Sequence, residues 1–126
     1  MRCADVMTRE PAFVRTSDEV ATANRTMKKR GVAFLPVCDP SGAVVGFVTE
    51  QHLTRVVVEH DVGPSTPVES VMGRDVCICS PDDELSVAEA AVVAHPGRCA
   101  VCVGPAREPI GVVGVSDLAR ARASVL

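Results

Sequence analysis

The sequence predicts an α+β fold made of two pseudo-symmetric repeats, each β-α-β-β-α, with helices packed on small sheets. Three observations carry this expectation. First, the chain matches itself without a gap. Laying Val6-Met7 on Val71-Met72 also lays Arg9 on Arg74, Asp18-Glu19 on Asp83-Glu84 and Ala23 on Ala88. The same shift lays Pro40 on Pro105, Gly46 on Gly111, Val48 on Val113, Leu53 on Leu118 and Arg55 on Arg120. Second, the apolar pattern around these identities repeats with them, as a duplicated structural unit requires. Third, 47% of the residues are apolar but only 2% are aromatic. Valine is therefore the main core-builder, and valine favours strands. The repeats are read as residues 1–61 and 66–126, with a Gly/Pro-rich linker around Val62-Gly63-Pro64-Ser65-Thr66-Pro67. A half of about 60 residues is marginal alone, and two copies bury a better core.

In the first repeat, Ala12-Phe13-Val14-Arg15 reads as a short strand after the breaker Pro11. Ser17 and Asp18 offer N-cap oxygens for a helix that puts Val20, Ala23 and Met27 on one face. Lys28, Lys29 and Arg30 suit its C-terminal end, and Gly31 stops it. Ala33 to Val37 and Ala43 to Val48 form a hairpin around the turn Asp39-Pro40-Ser41-Gly42. Thr49 or Glu50 begins a helix that carries Leu53, Val56 and Val57 inward. The second repeat follows the same plan. Val76 to Cys79 is the short strand, and Ser80-Pro81-Asp82-Asp83-Glu84 opens the helix of Leu85, Ala88 and Val92. Pro96-Gly97 ends that helix. Cys99 to Val103 and Ile110 to Val115 make the hairpin, and Ser116 to Ala121 begins the last helix.

Composition narrows the function. A net charge of −3 argues against a nucleic-acid partner, which needs clustered Lys and Arg. No run of about 18 apolar residues is present, so no membrane span is expected. Met1-Arg2-Cys3-Ala4-Asp5 has an acid where a signal peptide begins its apolar stretch, so a cytoplasmic location is expected. With that location, Cys3, Cys38, Cys77, Cys79, Cys99 and Cys102 read as reduced core thiols rather than disulfides, with Cys3 the most reactive. Cys99 and Cys102 have Cys-x-x-Cys spacing, but on a strand they point to opposite faces, which spoils metal ligation. No metal site, catalytic set or enzyme activity is expected. A thiol-based metal or redox sensor stays open as a minor alternative.

Several segments together carry a family resemblance. They are Asp5-Val6-Met7-Thr8, Asp18-Glu19-Val20, Leu35-Pro36-Val37-Cys38-Asp39 and Gly46-Phe47-Val48-Thr49 with Leu53. In the second half they are Val71-Met72, Pro81-Asp82-Asp83-Glu84-Leu85 and Gly111-Val112-Val113-Gly114-Val115-Ser116-Asp117-Leu118. This set resembles a stand-alone tandem pair of cystathionine-β-synthase (CBS) domains, a Bateman module. The resemblance implies a non-catalytic regulatory or sensor module. It implies an adenosine-containing ligand (AMP, ADP, ATP or S-adenosylmethionine) between the repeats, and no resident cofactor. It also implies a homodimer and an unidentified protein partner. The alternative is a degenerate pair that dimerises or docks and binds no nucleotide.

The family pattern Gly-x-x-Ser/Thr-x-x-Asp places an Asp against both ribose hydroxyls and a hydroxyl near phosphate. The copies depart from it in opposite ways. The first keeps Gly46 and Thr49 but has His52 in place of Asp. The second keeps Gly111, Ser116 and Asp117 but has Gly114 in place of the hydroxyl. A neutral imidazole offers one acceptor, so His52 cannot grip two hydroxyls. The expected ligand set is therefore Thr8, Pro11, Phe13, Arg98, Val112, Gly114, Ser116 and Asp117, with Arg98 facing phosphate. Ala33, Thr49, His52 and Gly73 form a degenerate second cleft. Plainer readings stand beside these: Asp117 as a helix cap, Arg98 as a solvated loop cation, Thr8 as a helix end and His52 as a surface residue. Finally, the run Val56-Val57-Val58 leaves Val58 opposite the core-facing pair and available to a second chain, consistent with an isologous dimer.

Overall fold

The computed structural model describes residues 1–125. The chain forms two compact units, and their borders differ from those of the sequence repeats. One unit is Ala12–Asp75; the other combines Met1–Pro11 with the chain from Val76 onward. Thus the first eleven residues join the second repeat, while the linker and the opening of the second repeat join the first.

In the unit Ala12–Asp75, β2 (Val14–Arg15), α2 (Val20–Arg30), β3 (Phe34–Cys38), β4 (Val44–Thr49) and α3 (Glu50–Glu59) follow the expected order. The sheet order is β2-β3-β4, with β2 parallel and β4 antiparallel to β3. β3 is buried along its whole length, whereas β4 alternates. The hairpin turn is held by Asp39, whose carboxylate accepts from the Ser41 hydroxyl and from the Ser41 and Ala43 N–H groups. The Ser41 hydroxyl foremost, then the turn's N–H groups, hold Asp39 below the usual carboxylate range. Gly42 takes φ 91° here, a conformation side chains disfavour. Val14, Val20, Met27, Leu35, Val37, Val48, Leu53 and Val68 form the core.

The N-cap of α2 is Glu19, without a side-chain bond, and not Ser17 or Asp18 as expected. The reason is tertiary. The first free N–H groups of the helix, on Val20 and Ala21, bond to the carbonyls of Thr66 and Pro64. Asp18 instead accepts from the Arg15 N–H at 2.8 Å. Val57 also differs from expectation: it is 41% exposed, because the inward face of α3 is filled by Leu53 and Val56. Val58 is 76% exposed, on the side expected.

In the other unit, α1 (Cys3–Val6) and β1 (Thr8–Arg9) precede β5 (Ile78–Cys79), α4 (Leu85–Ala94), β6 (Cys99–Val103), β7 (Pro109–Gly114) and α5 (Val115–Val125). The sheet order is β1-β7-β6-β5, so the N-terminal strand adds an edge to the second repeat's hairpin. The entry to α4 mirrors that of α2: the Leu85 N–H bonds to the Met1 carbonyl. Cys3, Met7, Cys79, Ala88, Val92, Ala100, Cys102, Val113 and Leu118 form this core.

The two units share one device. An added Cβ on Gly111 would meet Met7 Sδ at 2.4 Å, and one on Gly46 would meet Met72 Sδ at 2.7 Å. Each methionine follows the same valine in the sequence self-match, and each seats on the glycine of the second hairpin strand. Neither tolerates a methyl group without movement. At Gly46 the Gly73 carbonyl also stands at 2.7 Å, a backbone atom, whereas at Gly111 only the flexible Met7 side chain intrudes. We expect Gly46→Ala to destabilise by about 2–3 kcal/mol and Gly111→Ala by about 1–2 kcal/mol. Urea denaturation checks the order; equal costs would show that the carbonyl yields as easily as the thioether.

Cys3, Cys38, Cys79 and Cys102 are buried, and Cys77 and Cys99 are half-buried. Cys3 is fully buried, so the expectation that it is the most reactive thiol is corrected: α1 folds it inward beneath the N-terminus. Burial pushes the Cys38 and Cys99 thiols up to about 11, with Asp39 and Asp117 respectively adding to the rise. A thiol held neutral in the fold stabilises nothing below its unfolded value of 9.0, since both states are then protonated. Between pH 9 and 11 only the unfolded chain ionises, so stability falls as pH rises through that window. Equilibrium unfolding from pH 8 to 11 reads this, and the decline should shrink in the Cys38→Val, Cys99→Val double variant.

Candidate functional site

Asp117 is a buried charged residue, 6% exposed, in the unit that holds the N-terminus. It sits at the third position of α5 and turns back to accept the Gly114 N–H at 2.8 Å. This is the carboxylate half of a capping box, so the plain helix-cap reading of Asp117 is correct as far as it goes. Its other oxygen accepts the Thr8 hydroxyl at 3.3 Å and a short contact from the Arg120 guanidinium. Thr8 arrives because β1 pairs antiparallel with β7, in the register Thr8 opposite Val112 and Arg9 opposite Gly111. Met7 seated on Gly111 fixes that register. Thr8, Asp117 and Arg120 line a hollow of about 400 Å³ together with Met1, Asp5, Val6, Met7 and Ala121.

Of the expected ligand set, the structure thus joins Thr8, Val112, Gly114 and Asp117. Gly114 is buried, and a Cβ there would stand 3.2 Å from Cys99 Sγ, which leaves little room for a serine or threonine. Ser116 is exposed beside Asp117. Pro11 is half-buried at the end of the N-terminal segment. Phe13 belongs to the other unit, where it is 42% exposed with the Arg15 guanidinium 5.9 Å from its ring centre. Arg98 is exposed at φ 54° in the turn after α4, and its N–H bonds to the His95 carbonyl. It does not line the hollow. The arginine at Asp117 is Arg120, which the reading of the sequence missed. The signal was available: Arg55 and Arg120 coincide in the self-match, each three residues after His52 or Asp117.

The matching positions of the other unit are closed. Gly73 stands where Thr8 does, bridged to Phe47 by N–H···O bonds of 2.9 Å in both directions. A Cβ on Gly73 would lie 2.5 Å from the Phe47 ring, so that ring occupies the space a Thr8-like side chain would need. Phe47 in turn stacks on Phe34 at 5.6 Å. His52 stands in the place of Asp117. Its Nε2 lies 2.8 Å from the Val71 carbonyl, and its Nδ1 lies 3.0 Å from the Arg55 guanidinium. A carbonyl accepts and a guanidinium donates, so the Nε2–H tautomer satisfies both. Thr49 is committed as well, capping α3 by accepting the His52 N–H at 3.1 Å. Ala33 lines a separate hollow of about 560 Å³ with Glu50, Gln51, Thr54, Arg55, Val58 and Glu59. That hollow is larger, but it lacks a buried polar group to orient a ligand.

Fold and site together define a duplicated β-α-β-β-α module with one polar position kept and its twin filled. A family model described as the CBS domain matches residues 3–59. The CBS domain pair of protein MJ0100, solved with 5′-methylthioadenosine and S-adenosyl-L-methionine, superposes with a TM-score of 0.89 at 17% identity, covering 100% of this chain and 98% of that one. CBSX2 from Arabidopsis thaliana, solved with AMP, superposes at 0.82 with 19% identity, covering 98% and 97%. A homoserine O-acetyltransferase of Methanococcoides burtonii is 28% identical over 117 residues, which is 93% of this chain but only 23% of that relative. The chain therefore spans about a quarter of that enzyme's length. Residues 3–59 thus match the CBS-domain family, and the chain has the fold of a tandem pair of such domains. Among the described residues, no helix is long and apolar enough to cross a membrane.

Proposed function

We propose that this CBS pair is a non-catalytic regulatory module that takes one adenosine-containing ligand per chain, at Asp117. The observation that carries the reading is the unequal fate of two matched positions. Thr8 and Asp117 face a hollow, whereas at the matching positions Phe47 fills the space over Gly73 and His52 is taken up by the Val71 carbonyl and Arg55. A ribose brings two vicinal hydroxyls, and a carboxylate accepts both. Asp117 keeps its bond to Gly114 and exchanges those to Thr8 and Arg120. Arg120 is 73% exposed and swings out at little cost. Released from the carboxylate, its guanidinium becomes the natural partner of a phosphate, the part expected of Arg98. The two solved relatives named above were crystallised with ligands of this class.

Titration calorimetry with AMP, ADP, ATP and S-adenosylmethionine tests this. The expected stoichiometry is one per chain. Asp117→Ala should remove about 2–4 kcal/mol of binding, since two hydroxyls lose a charged acceptor. Arg120→Ala should weaken ADP and ATP more than adenosine, and Arg98→Ala should matter less. Circular dichroism of each variant separates lost binding from lost fold. Two sites per chain, or an Asp117→Ala variant that binds as wild type, overturns the reading.

A second reading is a pair that docks or dimerises without nucleotide. It is favoured by Asp117 having its hydrogen bonds met within the chain. It is favoured also by the exposed valines Val58, Val87 and Val93 on α3 and α4, at 57–76% exposure. Both readings include a homodimer in the cytoplasm. Light scattering at micromolar concentration should give twice the chain mass, and Val58→Glu should reduce it. A monomer rejects the dimer.

A further inference from the structure

Three thiols converge in the unit that contains the N-terminus. Cys3 comes from α1, Cys79 from β5 and Cys102 from β6, and their sulfurs all lie within 4.8 Å of one another. Cys79 and Cys102 are direct partners in the parallel β5–β6 ladder, with sulfurs 2.9 Å apart. Cys3 and Cys102 are fully buried and Cys79 is 8% exposed.

The duplicated fold supplies an internal control. In the self-match, Cys3, Cys79 and Cys102 fall on Val68, Val14 and Val37. Those three valines lie in the core of the other unit, none more than 2% exposed. The geometry is conserved in detail: Val14 pairs parallel with Val37 as Cys79 does with Cys102. The Val68 N–H bonds to the Asp18 carbonyl as the Cys3 N–H bonds to that of Asp83. The fold thus asks only for a small apolar side chain at each place. One copy meets this with three valines and the other with three thiols, on three separate elements that meet at one point.

We propose that Cys3, Cys79 and Cys102 form a three-thiolate site for a thiophilic closed-shell cation, Zn(II) or Cu(I). Binding forms three metal–sulfur bonds and releases the three thiol protons, with no change of oxidation state. Metal–sulfur bonds of about 2.3 Å place bound sulfurs about 3.8–4.0 Å apart. The Cys79–Cys102 pair opens by about 1 Å to reach this. The charge of a buried site favours Zn(II), which leaves one net negative charge against two for Cu(I). The ligand count favours Cu(I), since three thiolates suit a trigonal soft ion. Entry runs past α1, which is tied down by the Met1 amino group on Glu84, Arg2 on the Asp82 carbonyl and two backbone bonds from Cys3 and Ala4.

The test uses the whole chain, reduced and stripped of metal, titrated with Zn(II) and separately with Cu(I) against a competing chelator. Cd(II) serves as an optical probe for thiolate charge-transfer absorption. One cation per chain, a charge-transfer band and affinity that rises with pH are expected. Cys3→Val, Cys79→Val and Cys102→Val each insert the residue of the matching copy, so the fold is preserved. Each should weaken binding by about a hundredfold or more. Cys38→Val, in the other unit, should bind as wild type. The proposal is overturned if no cation gives a band, or if the three variants bind like wild type. It is overturned equally if mass spectrometry finds the protein purified without reductant two mass units light, with Cys79 joined to Cys102.

Discussion

Everything else in this molecule depends on a thioether resting on a bare backbone. Met7 on Gly111 and Met72 on Gly46 occupy space that any side chain on those glycines would claim. The contact decides which strand each leading segment joins. With Met7 seated, Thr8 falls opposite Val112, and the hydroxyl comes within reach of Asp117. With Met72 seated, Gly73 falls opposite Phe47. Methionine suits the task because its unbranched, polarisable chain fills an irregular gap against a flat strand.

One backbone plan then carries two chemistries. Between the copies the hydrogen-bond framework is kept, down to the helix entries at Val20 and Leu85. What changes is what fills it. Phe47 in place of Val112 puts a ring where the other copy has room for the Thr8 side chain. His52 in place of Asp117 turns a charged acceptor into a strap between the Val71 carbonyl and Arg55. The valine triplet and the cysteine triplet show the same freedom deeper in the core. A duplicated domain can specialise one copy while the other retains the packing that keeps the fold intact.

The repeat, the ten β-α-β-β-α elements and the asymmetry of the Asp117 and His52 positions were legible because period and spacing are local properties. The N-cap of α2 was misread for a tertiary reason, whereas the cap of α3 at Thr49 and the stop of α2 at Gly31 stand as expected. Ser17 and Asp18 are good N-caps, but carbonyls from residues distant in sequence reach the free N–H groups first. The inward fold of Cys3 was hidden likewise, since nothing in Cys3-Ala4-Asp5-Val6 says that one turn of helix will close over another repeat's core. Arg120 was visible as a matched position, yet its partner is recognised only when α5 is built and the i, i+3 spacing brings it onto Asp117.

The exchange of leading segments has a consequence for how the chain is made. On a ribosome, Met1–Pro11 emerges before the unit Ala12–Asp75, and its partner strand β7 emerges well after that unit. The unit Ala12–Asp75 can close as soon as Met72 is released. The N-terminal segment must stay unpaired through all of that, with Met7 and Cys3 exposed. Within this pair, the return of Met1–Pro11 to β7 therefore follows the closure of the other unit. Such closure over a long loop is slow by its topology. The edge of β7 stays open until it happens, and an unpaired strand edge is a template for aggregation.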